Sequence, residues 1–229
     1  MFPSCDHADC PLDLSWPNFT LAASTCSSQN GRTKCCRYMN ALVAVSIARY
    51  AKTTGSLGVP AVLTNVCHSY VSETLHSYGI PPNATMFCGL GTKILFSYQC
   101  QGRTTILEML QSPNFHSVIR NCKMPLSSES SCRSCLNSDI IYLHHLIGVQ
   151  DNITLSTCRD AAFVALTNQG DSISAIDFAS CFFGIQELII HPGSTIQNWM
   201  LLLYSESKNL QNASSTSLAI WLHNLYQDG

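Results

Sequence analysis

Charge is scarce in this sequence: 11% of its 229 residues are Asp, Glu, Lys or Arg, and the net charge is −2. A nucleic acid or an acidic membrane surface is therefore a poor electrostatic match as a partner. Long apolar runs are also missing. WMLLLY at 199–204 falls far short of the ~20 residues a bilayer crossing needs, and the closing SLAIWLHNLYQDG is too short and polar for a lipid-anchor tail. The opening MFPSCDHADCPLDLSW has neither the basic n-region nor the apolar h-region of a secretory signal. No cysteine follows Cys181.

What the chain has instead is cysteine, 13 in all, within a composition that is 46% hydrophobic. That apolar content is enough for a buried core and argues against disorder of the chain as a whole. The cysteine density fits disulfides in an oxidising compartment. Four N-x-[ST] sequons, at Asn18, Asn83, Asn152 and Asn212, agree with export. Export without a visible signal leads to the expectation that the sequence is a fragment or incomplete gene model of a secreted or membrane-anchored protein. The alternative is a cytosolic protein with reduced thiols, in which Cys132 and Cys135 would be the first metal candidates.

The chain reads as organised around 131–166. Cys132, Leu136, Ile140, Leu143 and Ile147 share one helical face, with Asn137, Ser138, Asp139 and His145 on others. A second amphipathic run follows the Asn152 sequon through Leu155, Cys158, Ala162, Ala165 and Leu166. Residues 1–34, with Pro3, Pro11 and Pro17, read as loop stapled through Cys10 and Cys26. The clearest helix follows Cys35-Cys36: Met39, Leu42, Val43, Ile47 and Tyr50 form its stripe, alanines raise its propensity, and Gly55 ends it. Adjacent cysteines cannot bond each other without strain, so this pair should reach two different segments.

Pro60 to Gly79 reads as a helix, with Leu63, Cys67, Tyr70, Val71, Leu75 and Tyr78 near one face, and Pro81-Pro82-Asn83 as a loop. Lys93 to Gln99 is the one plausible strand. Thr105-x-x-Glu108 and Ser174-x-x-Asp177 are candidate capping boxes, and Phe115, Val118, Ile119 and Cys122 mark a short helix between them. The expected fold is mainly α: a disulfide-rich bundle of five to seven short helices with at most one short β-hairpin. Its parts are a lead-in at 1–8, the domain at 9–186, and an atypical, weakly structured or disordered tail at 187–229.

Chemistry-bearing motifs are incomplete. The Cys132–Cys135 C-x-x-C lacks the second pair that a zinc site needs, and follows a serine loop rather than a redox strand. His144-His145 lacks the i, i+4 spacing of a metal helix. No G-x-S-x-G frames His144 and Asp160 as parts of a triad. Gly89-Leu90-Gly91 is too short for a phosphate loop and reads as a turn. Lys34, Arg37, Arg49 and Lys52 read as a solvated face. No catalytic residue, metal site or cofactor is expected.

Several long, cysteine-anchored blocks carry a family likeness: CPLDLSWPNFTLAAS, KCCRYMNALVAVSIARY, FCGLGTK, QGRTTILEMLQSP, CRSCLNSDIIYLHHLIG and DNITLSTCRDAAFVAL. Over residues 9–185 they resemble the SPARK domain of plant receptor-like kinases, in particular the arbuscular receptor-like kinases associated with mycorrhizal symbiosis. The resemblance implies a cell-surface, glycosylated plant ectodomain that binds an extracellular ligand or co-receptor. Full-length members are single-pass membrane proteins with a cytoplasmic kinase, but no glycine-rich loop, V-A-I-K, H-R-D or D-F-G occurs here. Cys5 lies outside the likeness. The other twelve, Cys10, Cys26, Cys35, Cys36, Cys67, Cys88, Cys100, Cys122, Cys132, Cys135, Cys158 and Cys181, are disulfide candidates. Their pairings number on the order of ten thousand and stay open. A second reading is a secreted carrier of an apolar ligand. Lipid-transfer proteins share an adjacent Cys-Cys, though their C-x-C is absent here.

Overall fold

The computed structural model describes residues 9–28, 31–123, 125–148, 152–169 and 175–185, all within one compact unit, Met1–Ile189. Their regular structure is helical. In chain order come α1 (Phe19–Ser27), α2 (Arg32–Thr54), a 3-10 turn (Ala61–Leu63), α3 (Thr64–Ser77), α4 (Pro82–Cys88), α5 (Ile106–Leu110) and α6 (Phe115–Asn121). Then follow α7 (Glu129–Ile147), α8 (Asn152–Thr167) and α9 (Ala175–Phe183). These nine helices among the described residues exceed the five to seven expected.

α2 is the axis, a role the sequence pattern had given to 131–166. It packs against α1, α4, α8 and α9. Its apolar stripe is in fact a nearly complete sleeve: every residue from Ala41 to Ala48 is buried. Alanines 41, 44, 48 and 51 let neighbouring backbones approach from several sides, while Met39, Leu42 and Ile47 supply bulk, each contributing about 1.5–3 kcal/mol on burial. Gly55, at φ 73°, closes the helix by returning its N–H to Ala51 O at 2.8 Å.

Two stretches expected as loop are helical. Asn18 caps α1 by accepting the Thr20 N–H at 3.2 Å, and Phe19, Ala22 and Cys26 then face the core. In α4 the Pro-Pro pair acts as a start signal: Pro81 is the cap and Pro82 the first helical residue, where its missing N–H costs nothing. α1 also meets the end of α3, where Phe19 stacks on the cap residue Tyr78 at 4.1 Å. On α3, Cys67, Val71 and Leu75 are buried, whereas Tyr70 and the capping Tyr78 are exposed.

The expected strand does not form a sheet. Ile94, Phe96 and Tyr98 alternate inward with the period of a strand. Their partner segments are short, however, and isolated bridges result: the parallel Leu90–Ile94 and the antiparallel Gly58–Ser97, the latter with Val59 N–H to Phe96 O at 2.9 Å and Tyr98 N–H to Leu57 O at 3.1 Å. A Cβ on Gly58 would lie 2.4 Å from Ser97 Cα, so the close approach requires glycine there.

Thr105 and Glu108 form a complete capping box on α5. Replacing Thr105 by Ala should cost about 1 kcal/mol, read as a lowered denaturant midpoint; no change would show that the helix is held by packing alone. Ser174, which opens the other candidate box, lies outside the described residues, as do Cys5 and the tail at 187–229.

α7 is rotated relative to its expected face. Cys135, Asp139, Tyr142, Leu143 and Ile147 are buried, while Ile140 and Ile141 are more than half exposed. Three anchors outweigh the apolar count. Cys135 bonds Cys122, Tyr142 O–H donates to Ser112 Oγ at 2.8 Å, and the Tyr142 ring meets Phe115 edge-on at 5.0 Å.

The structure pairs twelve cysteines as Cys10–Cys67, Cys26–Cys35, Cys36–Cys88, Cys100–Cys158, Cys122–Cys135 and Cys132–Cys181. The adjacent pair at the start of α2 thus reaches α1 on one side and the end of α4 on the other. The C-x-x-C of α7 is likewise divided, between α9 and the end of α6.

Candidate functional site

Two clefts mark the described surface. The larger, about 1150 Å³, runs between α6 and α7 past Asn114, Ser117, Asn121, Asn137, Ile141 and His145. Its polar groups largely satisfy one another. Arg133 pairs with Glu129 at 2.6 Å, and Asn121 Nδ2 donates both to Ser117 O and to Ser138 Oγ at 3.0 Å. His145 lines this groove, and His144 is exposed on the same last turn of α7.

The second cleft, about 830 Å³, lies where α2 begins and α4, α8 and α9 converge. The Cys36–Cys88 disulfide forms part of its wall and fixes α2 to the end of α4. Gly89, at φ 73°, then turns the chain back, and its carbonyl accepts the N–H groups of Thr92, Lys93 and Ile94 at 3.0, 2.7 and 3.0 Å. The glycine pair thus makes a turn that holds Lys93 at the cleft. Arg37 enters from α2 and Arg159 from α8. Phe182, Phe183 and Gly184 close the far side, and a Cβ on Gly184 would come within 3.6 Å of Arg37 Nη1.

Beneath Arg159 lies a buried polar cluster. Both Nε and Nη2 of Arg159 donate to Asp160 Oδ1, at 3.0 and 2.7 Å, and its guanidinium stands 5.4 Å from the Phe183 ring centre. Asp160 is pushed upward in pKa by burial and drawn back by Arg159, with a long contact from Asn40 Nδ2 at 3.5 Å. Asp139 on α7 is 1% exposed, and its Oδ1 has no hydrogen bond. Burial raises its pKa to about 7, Arg159 opposing and Asp160 adding to the shift. The buried Tyr98 hydroxyl is also without a partner, and burial pushes its pKa well up. The sequence pattern puts Asp139 off the apolar face, and nothing in a helical period distinguishes a buried aspartate from a solvated one.

This geometry does not assemble a nucleophile. Asp160 is committed to Arg159 and Asn40, while His144 and His145 sit exposed on another helix end. Among the described residues no three His, Cys, Asp or Glu side chains converge as a metal group, and no helix is long and apolar enough to cross a membrane. The four cations read as one solvated face also separate. Arg49 pairs with Asp13 at 3.2 Å, Lys34 lies 5.9 Å from the Tyr38 ring centre, Lys52 is exposed near the C-terminus of α2, and Arg37 belongs to the cleft. Of the sequons, Asn83 is exposed and Asn18 is half-buried in its cap. Asn152 is the first residue of α8, and Asn212 lies outside the described residues.

The SPARK family model matches residues 4–182. The chain belongs to the SPARK family. A probable receptor-like protein kinase of Arabidopsis thaliana is 54% identical over 189 residues, which are 82% of this chain and 28% of that protein. The SPARK chain therefore spans little more than a quarter of the length of the curated relative it matches. No solved structure matches. The match takes in Cys5, which lies outside the expected 9–185, together with all twelve bonded cysteines and the described cations of the second cleft.

Proposed function

We propose that residues 9–186 form an extracellular ligand- or co-receptor-binding module of a plant receptor-like kinase or receptor-like protein, non-catalytic by itself. The observation that carries the reading is the second cleft. It is a surface recess walled by a disulfide, with Arg37 and Lys93 left without a hydrogen-bond or ion-pair partner among the described residues, in a SPARK domain stapled six times. Such stapling suits an oxidising, extracellular compartment. The likeness to a receptor-like kinase supplies the signalling context. The residues lining the α6–α7 groove are mostly polar and three cations line the second cleft, which suits a recognised polar partner better than a hydrocarbon chain. That weighs against the apolar-carrier reading.

The test is secretion of the full chain behind an added signal peptide, followed by a free-thiol count, glycan mapping and binding to a panel of plant ectodomains and cell-wall glycans. One free thiol, glycans at Asn18, Asn83 or Asn152, and a saturable partner are expected. Many free thiols, or a co-purified lipid with no partner in the panel, would overturn it.

A further inference from the structure

We propose that the cleft between α2, the Gly89–Ile94 turn, α8 and α9 is an oxyanion site, taking the carboxylate, sulfate or phosphate group of an extracellular ligand. The assignment gives the binding reading above its ligand chemistry and rests on it. Arg37, Lys93 and Arg159 all line this one cleft, although 56 and 122 positions separate the second and third from the first. Among the described residues no carboxylate lines the cleft. In a chain of net charge −2 this is a local concentration of positive charge and not the overflow of a basic protein.

The three cations are also differently committed. Arg159 is anchored from behind, with Nε and Nη2 both given to Asp160 and the ring of Phe183 alongside. Its guanidinium is held in place while Nη1 remains uncommitted. Arg37 and Lys93 make no hydrogen bond or ion pair with any described residue, so their donors are available to a ligand. Two guanidinium groups and an ammonium match an oxyanion by charge and by fork geometry. Ile94, Phe182 and Phe183 lower the local polarity and strengthen that attraction relative to open water. Asn40, also on the lining, keeps a buried Oδ1 without a donor, an acceptor suited to a ligand hydroxyl and not to its anionic oxygens. A volume of about 830 Å³ admits more than a bare ion.

The contrast with the α6–α7 groove is what selects the site. That groove is larger, yet its charges are already paired as Glu129–Arg133 and its amides are spent on neighbours. Here Arg159 is held by Asp160, but Arg37 and Lys93 pair with no described residue.

Titration calorimetry on the secreted full chain tests this with four probes: trigalacturonate, inorganic phosphate, inorganic sulfate and neutral maltotriose. At least one anion should bind, with affinity falling as salt is raised, and maltotriose should not. The double variant Arg37→Gln/Lys93→Gln should weaken that anion at least about tenfold, since each lost charge-assisted hydrogen bond alone approaches that factor. Both side chains are exposed, so the variant should keep the wild-type melting curve, which serves as the folding control. Preference for trigalacturonate assigns a carboxylate ligand, and preference for phosphate or sulfate assigns an ester. Absence of binding by all three anions, or binding that the double variant leaves unchanged, overturns the site. If the wild-type chain captures a partner ectodomain but no anion, this assignment falls and the module reading stands. Anion binding without any ectodomain partner supports the site and removes the co-receptor role.

Discussion

In excess reductant the domain should lose its cooperative unfolding transition altogether. Four of the six bridges, Cys10–Cys67, Cys36–Cys88, Cys100–Cys158 and Cys132–Cys181, span 49 to 58 residues. By loop-closure entropy each of these restricts the unfolded chain by about 4 kcal/mol, and the short Cys26–Cys35 and Cys122–Cys135 loops by about 3 kcal/mol. A domain of this size is stable by only about 5–15 kcal/mol in total. Losing all six therefore exceeds any plausible reserve, even when the bridges are far from additive. Individual bridges should rank by loop length. The Cys100→Ala/Cys158→Ala variant should lower the melting temperature by about 8–16 °C, and the Cys26→Ala/Cys35→Ala variant by less. A melting curve unchanged in reductant would remove the disulfides as the source of stability. A larger loss from the nine-residue loop would show that local packing around α1 outweighs chain entropy.

Much of the helical fold was legible because α2, α3, α5 and α6 carry their own signals. Alanines and a terminal glycine mark α2, buried Cys67, Val71 and Leu75 recur at a helical spacing on α3, and Thr105 and Glu108 announce α5. Failures occurred where tertiary anchors overrode local pattern. On α7 the apolar count favoured Ile140, but the Cys122–Cys135 bond and the Tyr142–Ser112 hydrogen bond turned that residue outward. Prolines 81 and 82 punctuate a sequence without saying whether they end a loop or begin a helix. The alternation at 94–98 was real, but a strand also needs a partner long enough to pair with it.

The cleft was almost wholly illegible. Arg37 resembles Lys34 and Arg49 when read along one helix, and nothing local ties it to Lys93 or Arg159. What brings them together is long-range: the Cys36–Cys88 bond, the turn at Gly89, and α8 packed against α2. A hydrophobic period encodes which side of a helix is buried. It does not encode which cations from three segments will share one recess.

Asp139→Asn should stabilise the domain at pH 8 and leave it nearly unchanged at pH 4. The Asp139 side chain is buried on α7, its Oδ1 lacks a hydrogen bond, and burial raises its pKa to about 7, against an ordinary value of 3.8. Between those two values the folded protein holds a proton on Asp139 that the unfolded chain has released. The contribution of Asp139 is thus most favourable below pH 4 and declines as pH rises toward 7, beyond which this carboxylate adds no further slope. The interval corresponds to a ceiling of about 4 kcal/mol. Arg159 reduces the penalty on the ionised form and Asp160 increases it. Asparagine has nearly the same shape and never ionises, so it should match the protonated acid and recover about 2–4 kcal/mol only where wild type is ionised. Denaturant midpoints of both proteins at the two pH values decide the matter. An equal gap at pH 4 and pH 8 would mean that packing, not protonation, separates them. A destabilised Asn variant at pH 8 would mean that ionised Asp139 is stabilised by Arg159 more strongly than burial penalises it.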